Sequence, residues 1–211
     1  MTNFEELSEL LIDGDFAGVQ AGVEELLDAG EKPIDIINCG LVSGMAKVGE
    51  MFKSGEMFVP EVLMCARAMS LATNMLKPHL KEEDDLRLGT VVICTVKGDQ
   101  HDIGKNLVAM LLDSNGFEVY DLGTDQSADK VMAAIEKYQP QILGLSAMLT
   151  TTMPEMAKII TALQEAGQRE AVRVIIGGAP VTASYAEQIG ADGYAADAAE
   201  AVDLCRHLLC Q

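Results

Sequence analysis

The chain contains no tryptophan, and aromatic residues of all kinds make up only 4% of its 211 residues. Basic side chains are also scarce: 15 Lys and Arg stand against 33 Asp and Glu, a formal net charge of −18. A surface of that sign repels nucleic acid and anionic membrane, so neither is an expected partner. No stretch approaches the roughly 18 to 20 consecutive apolar residues that a bilayer span requires. The start, Met1-Thr2-Asn3-Phe4-Glu5-Glu6, is acidic and lacks the positively charged opening of a signal peptide, so the expected location is cytoplasmic. The five cysteines are odd in number and have no zinc-site spacing, which argues against a disulfide framework. They read as reduced, small hydrophobes within apolar runs. Internal repeats and low-complexity tracts are absent.

What the chain does have is aliphatic: 49% of it is hydrophobic, enough for a substantial core, and 12 residues are methionine. Methionine fills irregular gaps. The expectation is a Met-rich helical core, with an adaptable interface as the alternative. Most of the acid is spread along helices and reads as a solvated face, with one short run at Glu82–Asp85.

Two periodicities divide the chain. Residues 1–80 read as helices alone. Thr2 and Glu5 suit a capping box, with Phe4, Leu7 and Leu11 on one stripe. Asp15 suits the cap of a second helix that buries Val19, Val23 and Leu26 and stops at Ala29-Gly30. Pro33 opens a third, in which Leu41, Met45, Val48 and Phe52 recur at helical spacing up to the break Ser54-Gly55-Glu56. A fourth begins near Pro60. Four helices with short connections predict a four-helix bundle. Residues 81–88, the charged end of a stretch opened by Lys77-Pro78, read as a linker and hinge. From residue 89 to 211, five β-branched runs alternate with helical patterns. The predicted fold class is α/β: the helical bundle followed by a flavodoxin-like (Rossmann-like) five-stranded parallel sheet with helices on both faces.

In such a sheet, ligands bind beyond the carboxyl ends of the strands, near a topological switch point. Three loops there carry unusual chemistry. The first is Gly98-Asp99-Gln100-His101-Asp102-Ile103-Gly104. Its imidazole suits a metal ligand, with Asp99 as the acceptor that fixes the tautomer through the other ring nitrogen. Gly98 and Gly104 allow close approach of something flat and large. A His that merely caps the next helix is the plain alternative. Zinc is a weaker one, because it wants three or four ligands. The second loop runs from Ser146 through Met148, Leu149 and Thr150 to Thr152 and is rich in hydroxyls. One hydroxyl would extend the His–Asp pair, unless Thr caps the helix before Pro154. No Gly-x-Ser-x-Gly elbow surrounds Ser146. The third is Gly177-Gly178-Ala179-Pro180.

The pattern Asp-x-His-x-x-Gly, then hydroxyl-rich residues some 45 positions on, then Gly-Gly, resembles the base-off/His-on cobalamin-binding domain. Residues 96–108 are especially similar to that family. The segment Gly44–Val62 resembles the helical cap of cobalamin-dependent methionine synthase and of the small corrinoid proteins of methanol, methylamine, betaine and aryl-ether demethylation systems.

The resemblance implies that His101 is the lower axial ligand of cobalt, that Asp99 holds its distal nitrogen, and that Thr152 stands at the family's third relay position, a serine. Gly98, Gln100, Asp102, Ile103 and Gly104 share the ligand loop. Ser146, Met148, Leu149 and Thr150, with Gly177, Gly178 and Ala179, would line the slot for the nucleotide tail. Phe52 and Val59 would cover the upper face of the corrin, and Asn38 stands where methionine synthase has a cofactor-contacting acid. The implied role is a methyl carrier cycling between methylcobalamin and cob(I)alamin. Its implied partners are a substrate-specific methyltransferase, a second methyltransferase using tetrahydrofolate or a similar acceptor, and a reductive activating protein. The donor is expected to be O- or N-methylated, with a lean towards O-demethylation. A cobalamin-dependent sensor without methyl transfer is the alternative.

Overall fold

The computed structural model describes residues 2–80 and 87–210. The chain divides into two compact units; among the described residues the first holds 2–80 with Ser114–Gly116, and the second holds 87–113 and 117–210. The expected acidic run and most of the expected linker fall on residues 81–86, outside the described residues. No described helix is long and apolar enough to cross a membrane.

In the first unit, α1 (Phe4–Ile12) starts one residue later than the capping pattern suggests. Asn3 Oδ1 accepts from the N–H groups of Glu5 and Glu6, and the Glu6 carboxylate accepts from the Asn3 N–H, all at 2.9 Å. Thr2 is engaged elsewhere: its N–H and hydroxyl both donate to Glu25 at 2.9 Å, tying α1 to α2 (Phe16–Asp28). Asp15 caps α2 through the Gly18 N–H at 3.0 Å, as the sequence predicts. Then α3 (Pro33–Asp35) runs without a break through a π-helical stretch, Ile36–Val42, into α4 (Ser43–Ser54). Nothing in the apolar spacing signals that widening. It arises where α1 presses against the helix: a Cβ on Gly40 would lie 2.8 Å from Leu7 Cδ2, and the buried Ser8 hydroxyl donates to the Gly40 carbonyl at 2.6 Å. Helix α4 ends at Gly55, which takes the left-handed conformation. Helix α5 (Val59–Leu76) continues into one 3-10 turn, Lys77–His79, so Lys77-Pro78 extends the bundle and does not open a linker.

Of the stripes predicted for the first three helices, Leu7, Leu11, Val19, Val23, Leu26, Leu41, Met45 and Val48 are buried, whereas Phe4 and Phe52 are half-buried; α5 buries Val62. The core is less methionine-rich than expected. Among the described residues Met45, Met57, Met69 and Met156 are buried, whereas Met64 and Met148 are exposed. Two cysteines also depart from the expectation: Cys39 and Cys210 are exposed.

The second unit alternates β1 (Gly89–Thr95), α6 (Ile103–Ser114), β2 (Phe117–Asp121), α7 (Ala128–Tyr138), β3 (Ile142–Ser146), α8 (Pro154–Glu165), β4 (Arg173–Gly177), α9 (Ala183–Ile189), β5 (Gly193–Tyr194) and α10 (Ala198–Leu209). Every strand pairing is parallel, and the order is β2-β1-β3-β4-β5. Val91–Thr95 and Ile142–Leu145 are buried without alternation, as strands covered on both faces must be. The chain reverses its direction of winding between β1 and β3. Their ends are level, Thr95 opposite Ser146, so the loops leaving them emerge side by side.

Candidate cofactor site at the switch point of the sheet

Asp99 is the centre of those two loops. It is fully buried, and its carboxylate is surrounded by donors. Its Oδ1 lies 2.7 Å from His101 Nδ1 and accepts the His101 N–H at 3.1 Å. Its Oδ2 accepts the Met148 N–H and the Thr152 hydroxyl, each at 2.8 Å. Burial opposes ionisation of Asp99. The hydrogen bonds from His101, the Met148 N–H and Thr152 outweigh it and hold the carboxyl well below the usual carboxylate range. An ionised Asp99 accepts only, so the Nδ1 atom of His101 carries a proton, and in the neutral ring it is Nε2 that is left with a lone pair. The His101 side chain is 55% exposed. Its ring is therefore engaged with Asp99 and not spent on capping α6.

Thr152 has one proton and two acceptors in reach, Asp99 Oδ2 and the Leu149 carbonyl at 2.9 Å. The charged acceptor wins. Thr152 thus spans the switch point and does not cap α8.

The two loops that hold the relay also expose large apolar side chains. Ile103 is 86% exposed, Met148 40% and Leu149 41%. Exposed Ile and Leu beside a polarised imidazole suit a ligand with a large flat apolar face. Gly104, in the first turn of α6, has open space where a Cβ would be. Gln100 and Thr150 are exposed, and Asp102 and Ser146 are half-buried. At the third loop, Gly178 has φ +126°, and a Cβ there would run into the Ala147 carbonyl oxygen. Glycine is required at 178 by the packing of two loops of this chain, whatever else passes beside it. The Ala179 N–H reaches Met148 Sδ at 3.5 Å, which joins the third loop to the second. Phe52, half-buried, and Val59 and Asn38, exposed, belong to the helical unit. Among the described residues no group of three His, Cys, Asp or Glu is placed to hold a metal, which leaves zinc without its ligand set.

A fourth loop escaped the sequence reading. Residues 122–126, after β2, lie against the ligand loop: the Gly98 N–H donates to Asp125 Oδ1 at 2.7 Å, the Asp125 N–H to the Asp99 carbonyl at 3.1 Å, and the Thr124 hydroxyl to Gln100 Oε1 at 3.0 Å. The available signal was position, because this loop leaves the strand beside β1. Lys105, also unremarked, is buried in α6 and bonds Asn106 Oδ1 and Asp121 Oδ2 at 2.6 and 2.5 Å, fixing the helix start to the end of β2.

The fold and site define a doubly wound α/β protein that presents a single carboxylate-held histidine at its switch point, behind a bundle of helices in the sequence. Profiles described as B12 binding domain match residues 89–203 and, for a second profile, residues 4–77. The chain belongs to the B12-binding family, and its cofactor is cobalamin. It is 40% identical over 206 residues, 97% of this chain and 95% of the other, to "Dimethylamine corrinoid protein 2" of Methanosarcina acetivorans. Among solved structures it is similar to a cobalamin-binding protein from Desulfitobacterium hafniense, at TM-score 0.84 and 32% identity over 98% of both chains. It is also similar to a chain of the methanol:cobalamin methyltransferase complex of Methanosarcina barkeri, at TM-score 0.85 and 33% identity over 97% of this chain and 78% of that one.

Proposed function

We propose that this chain is a methyl carrier, in which cobalamin bound base-off/His-on takes a methyl group through one methyltransferase and yields it through another. The observation that carries the reading is the His101–Asp99–Thr152 relay, held by two loops that also expose Ile103, Met148 and Leu149. Bound cobalamin would supply a cobalt able to accept and release a methyl group; the residues supply ligation, orientation and cover. His101 Nε2 would be the lower ligand. Asp99 keeps the proton on Nδ1 and raises the basicity of Nε2. Met148 and Thr152 hold Asp99 ionised and in place while the ring engages or withdraws. Ser146, Thr150, Gly177 and Ala179 would line the tail slot, and Phe52 and Val59 would serve the upper face.

The relatives' names, dimethylamine corrinoid protein and methanol:cobalamin methyltransferase complex, support methylated amines or methanol as donors over the aryl ethers towards which the sequence leans. The partners would then be a donor-specific methyltransferase, a second one using tetrahydrofolate or a similar acceptor, and a reductive activating protein.

The test is the visible spectrum of the methylcobalamin-loaded protein at neutral pH. Wild type should be His-on, and His101→Ala should hold some cofactor but be base-off. Identical spectra would overturn His101 as the ligand.

A further inference from the structure

We infer that Asp125, in the loop after β2, is a positioning residue for the axial histidine: it clamps the backbone on both sides of Asp99 and so fixes the carboxylate that orients His101. This rests on the reading of His101 as the cobalt ligand. Asp125 takes φ +55°, a left-handed conformation that side-chain-bearing residues seldom adopt and that Asp and Asn tolerate best. That conformation lets one residue contact the ligand loop twice. Its carboxylate accepts the Gly98 N–H at 2.7 Å, and its own N–H donates to the Asp99 carbonyl at 3.1 Å. Gly98 is itself left-handed, at φ +81°, so the chain turns sharply just before Asp99 and needs a partner for the turned N–H.

The loop that holds Asp125 is anchored in turn. The Thr95 N–H donates to the Gly123 carbonyl and the Gln126 N–H to the Thr95 carbonyl, both at 3.0 Å, so the clamp is tied to the end of β1. The Thr124 hydroxyl on Gln100 adds a third contact, next to His101. The relay bonds of Asp99 fix its carboxylate; the Asp125 contacts fix its main chain. Both are needed to hold an imidazole within the few tenths of an ångström that ligation demands.

Three variants separate the parts. Asp125→Asn keeps an oxygen acceptor and the left-handed turn. Asp125→Gly keeps the turn and the backbone N–H but loses the acceptor. His101→Ala reports the base-off state. In the cofactor-free protein, amide exchange at Gly98 should rise about fivefold or more in Asp125→Gly, the worth of one ordinary hydrogen bond, and stay near wild type in Asp125→Asn. In the methylcobalamin-loaded protein, Asp125→Gly should shift part of the spectrum towards that of His101→Ala, and Asp125→Asn should restore it. A wild-type spectrum in Asp125→Gly overturns the inference while leaving His101 as ligand. An equal shift in both Asp125 variants also overturns it, because the oxygen acceptor is then not what holds the loop. If wild type and His101→Ala share one spectrum, the ligand reading fails and takes this inference with it.

Discussion

Thr152 and Asp99 meet across the switch point of the sheet, hydroxyl to carboxylate at 2.8 Å, although 53 residues separate them in the chain. The resemblance implies a serine at this position, and threonine adds a methyl: Thr152 Cγ2 lies 3.6 Å from where a Cβ on Gly98 would stand, an ordinary contact distance. Thr152→Val keeps the shape and removes the donor. It should cost the cofactor-free protein about 1–2 kcal/mol in urea unfolding at pH 7, because a buried carboxylate loses a partner. Thr152→Ser should stay within about 1 kcal/mol of wild type. Equal losses in both variants would mean that packing, not the hydroxyl, is what the position contributes.

The depressed ionisation of Asp99 makes part of the stability pH-dependent. The folded carboxyl titrates below its unfolded value, which is near 3.9. Its contribution is therefore present above about pH 4 and lost as the pH falls through the folded value. Asp99→Asn removes that contribution and places an amide N–H among donors. At pH 7 it should be less stable than wild type by about 2–3 kcal/mol. The gap between the two proteins should narrow steadily below pH 4. The comparison cancels the other acidic groups, which both proteins share. A gap that stays constant down to pH 3 would show that Asp99 is not held ionised.

The sheet and its loops were legible because glycine and β-branched runs mark strand ends, and the loops after β1, β3 and β4 carry residues with visible chemistry. The loop after β2 was not, since Thr124 and Asp125 look like ordinary turn residues, and only Asp125's positive φ brings its carboxylate to the Gly98 N–H and its own N–H to the Asp99 carbonyl. The π-helical stretch at Ile36–Val42 was illegible for a similar reason. It depends on Ser8 and Leu7 pressing on Gly40 from 32 residues away, as the hydroxyl contact shows. The exposure of Cys39 and Cys210 is likewise tertiary: an apolar run says which residues seek burial, not which find it.

Those two cysteines define a chemical prediction. Cys65, Cys94 and Cys205 are buried, and burial pushes the Cys94 and Cys205 thiols up to about 12. Nearby Asp121 raises Cys94 further, and Lys105 opposes it. At pH 8 such thiols hold roughly one thiolate in ten thousand, and the thiolate is the reactive form. A thiol reagent should therefore label two cysteines of the folded, cofactor-free protein quickly, Cys39 and Cys210. The other three should react only as the chain unfolds in denaturant. Rapid labelling of Cys94, identified by peptide mass, would contradict the packing under β1.

Two glycines at the site give opposite expectations, and the pair separates the protein's own demands from those of its cofactor. Gly178 is left-handed, at φ +126°, with the Ala147 carbonyl where a side chain would begin. Gly178→Ala should destabilise the cofactor-free protein by about 2 kcal/mol or more, from backbone strain and collision together. Any loss of cobalamin in that variant would then say little about the tail slot. Gly104 is different. It sits in the first turn of α6 with nothing near its Cβ position and no left-handed backbone, so alanine there removes flexibility without a clash. Gly104→Ala should be neutral or stabilise the cofactor-free protein by up to about 1 kcal/mol. If the corrin approaches the backbone beside His101, the added methyl occupies the space it needs, and cobalamin affinity should fall although stability does not. Unchanged affinity in Gly104→Ala would show that the cofactor stays clear of the α6 start, and Ile103, one residue earlier and 86% exposed, would be the next position to truncate.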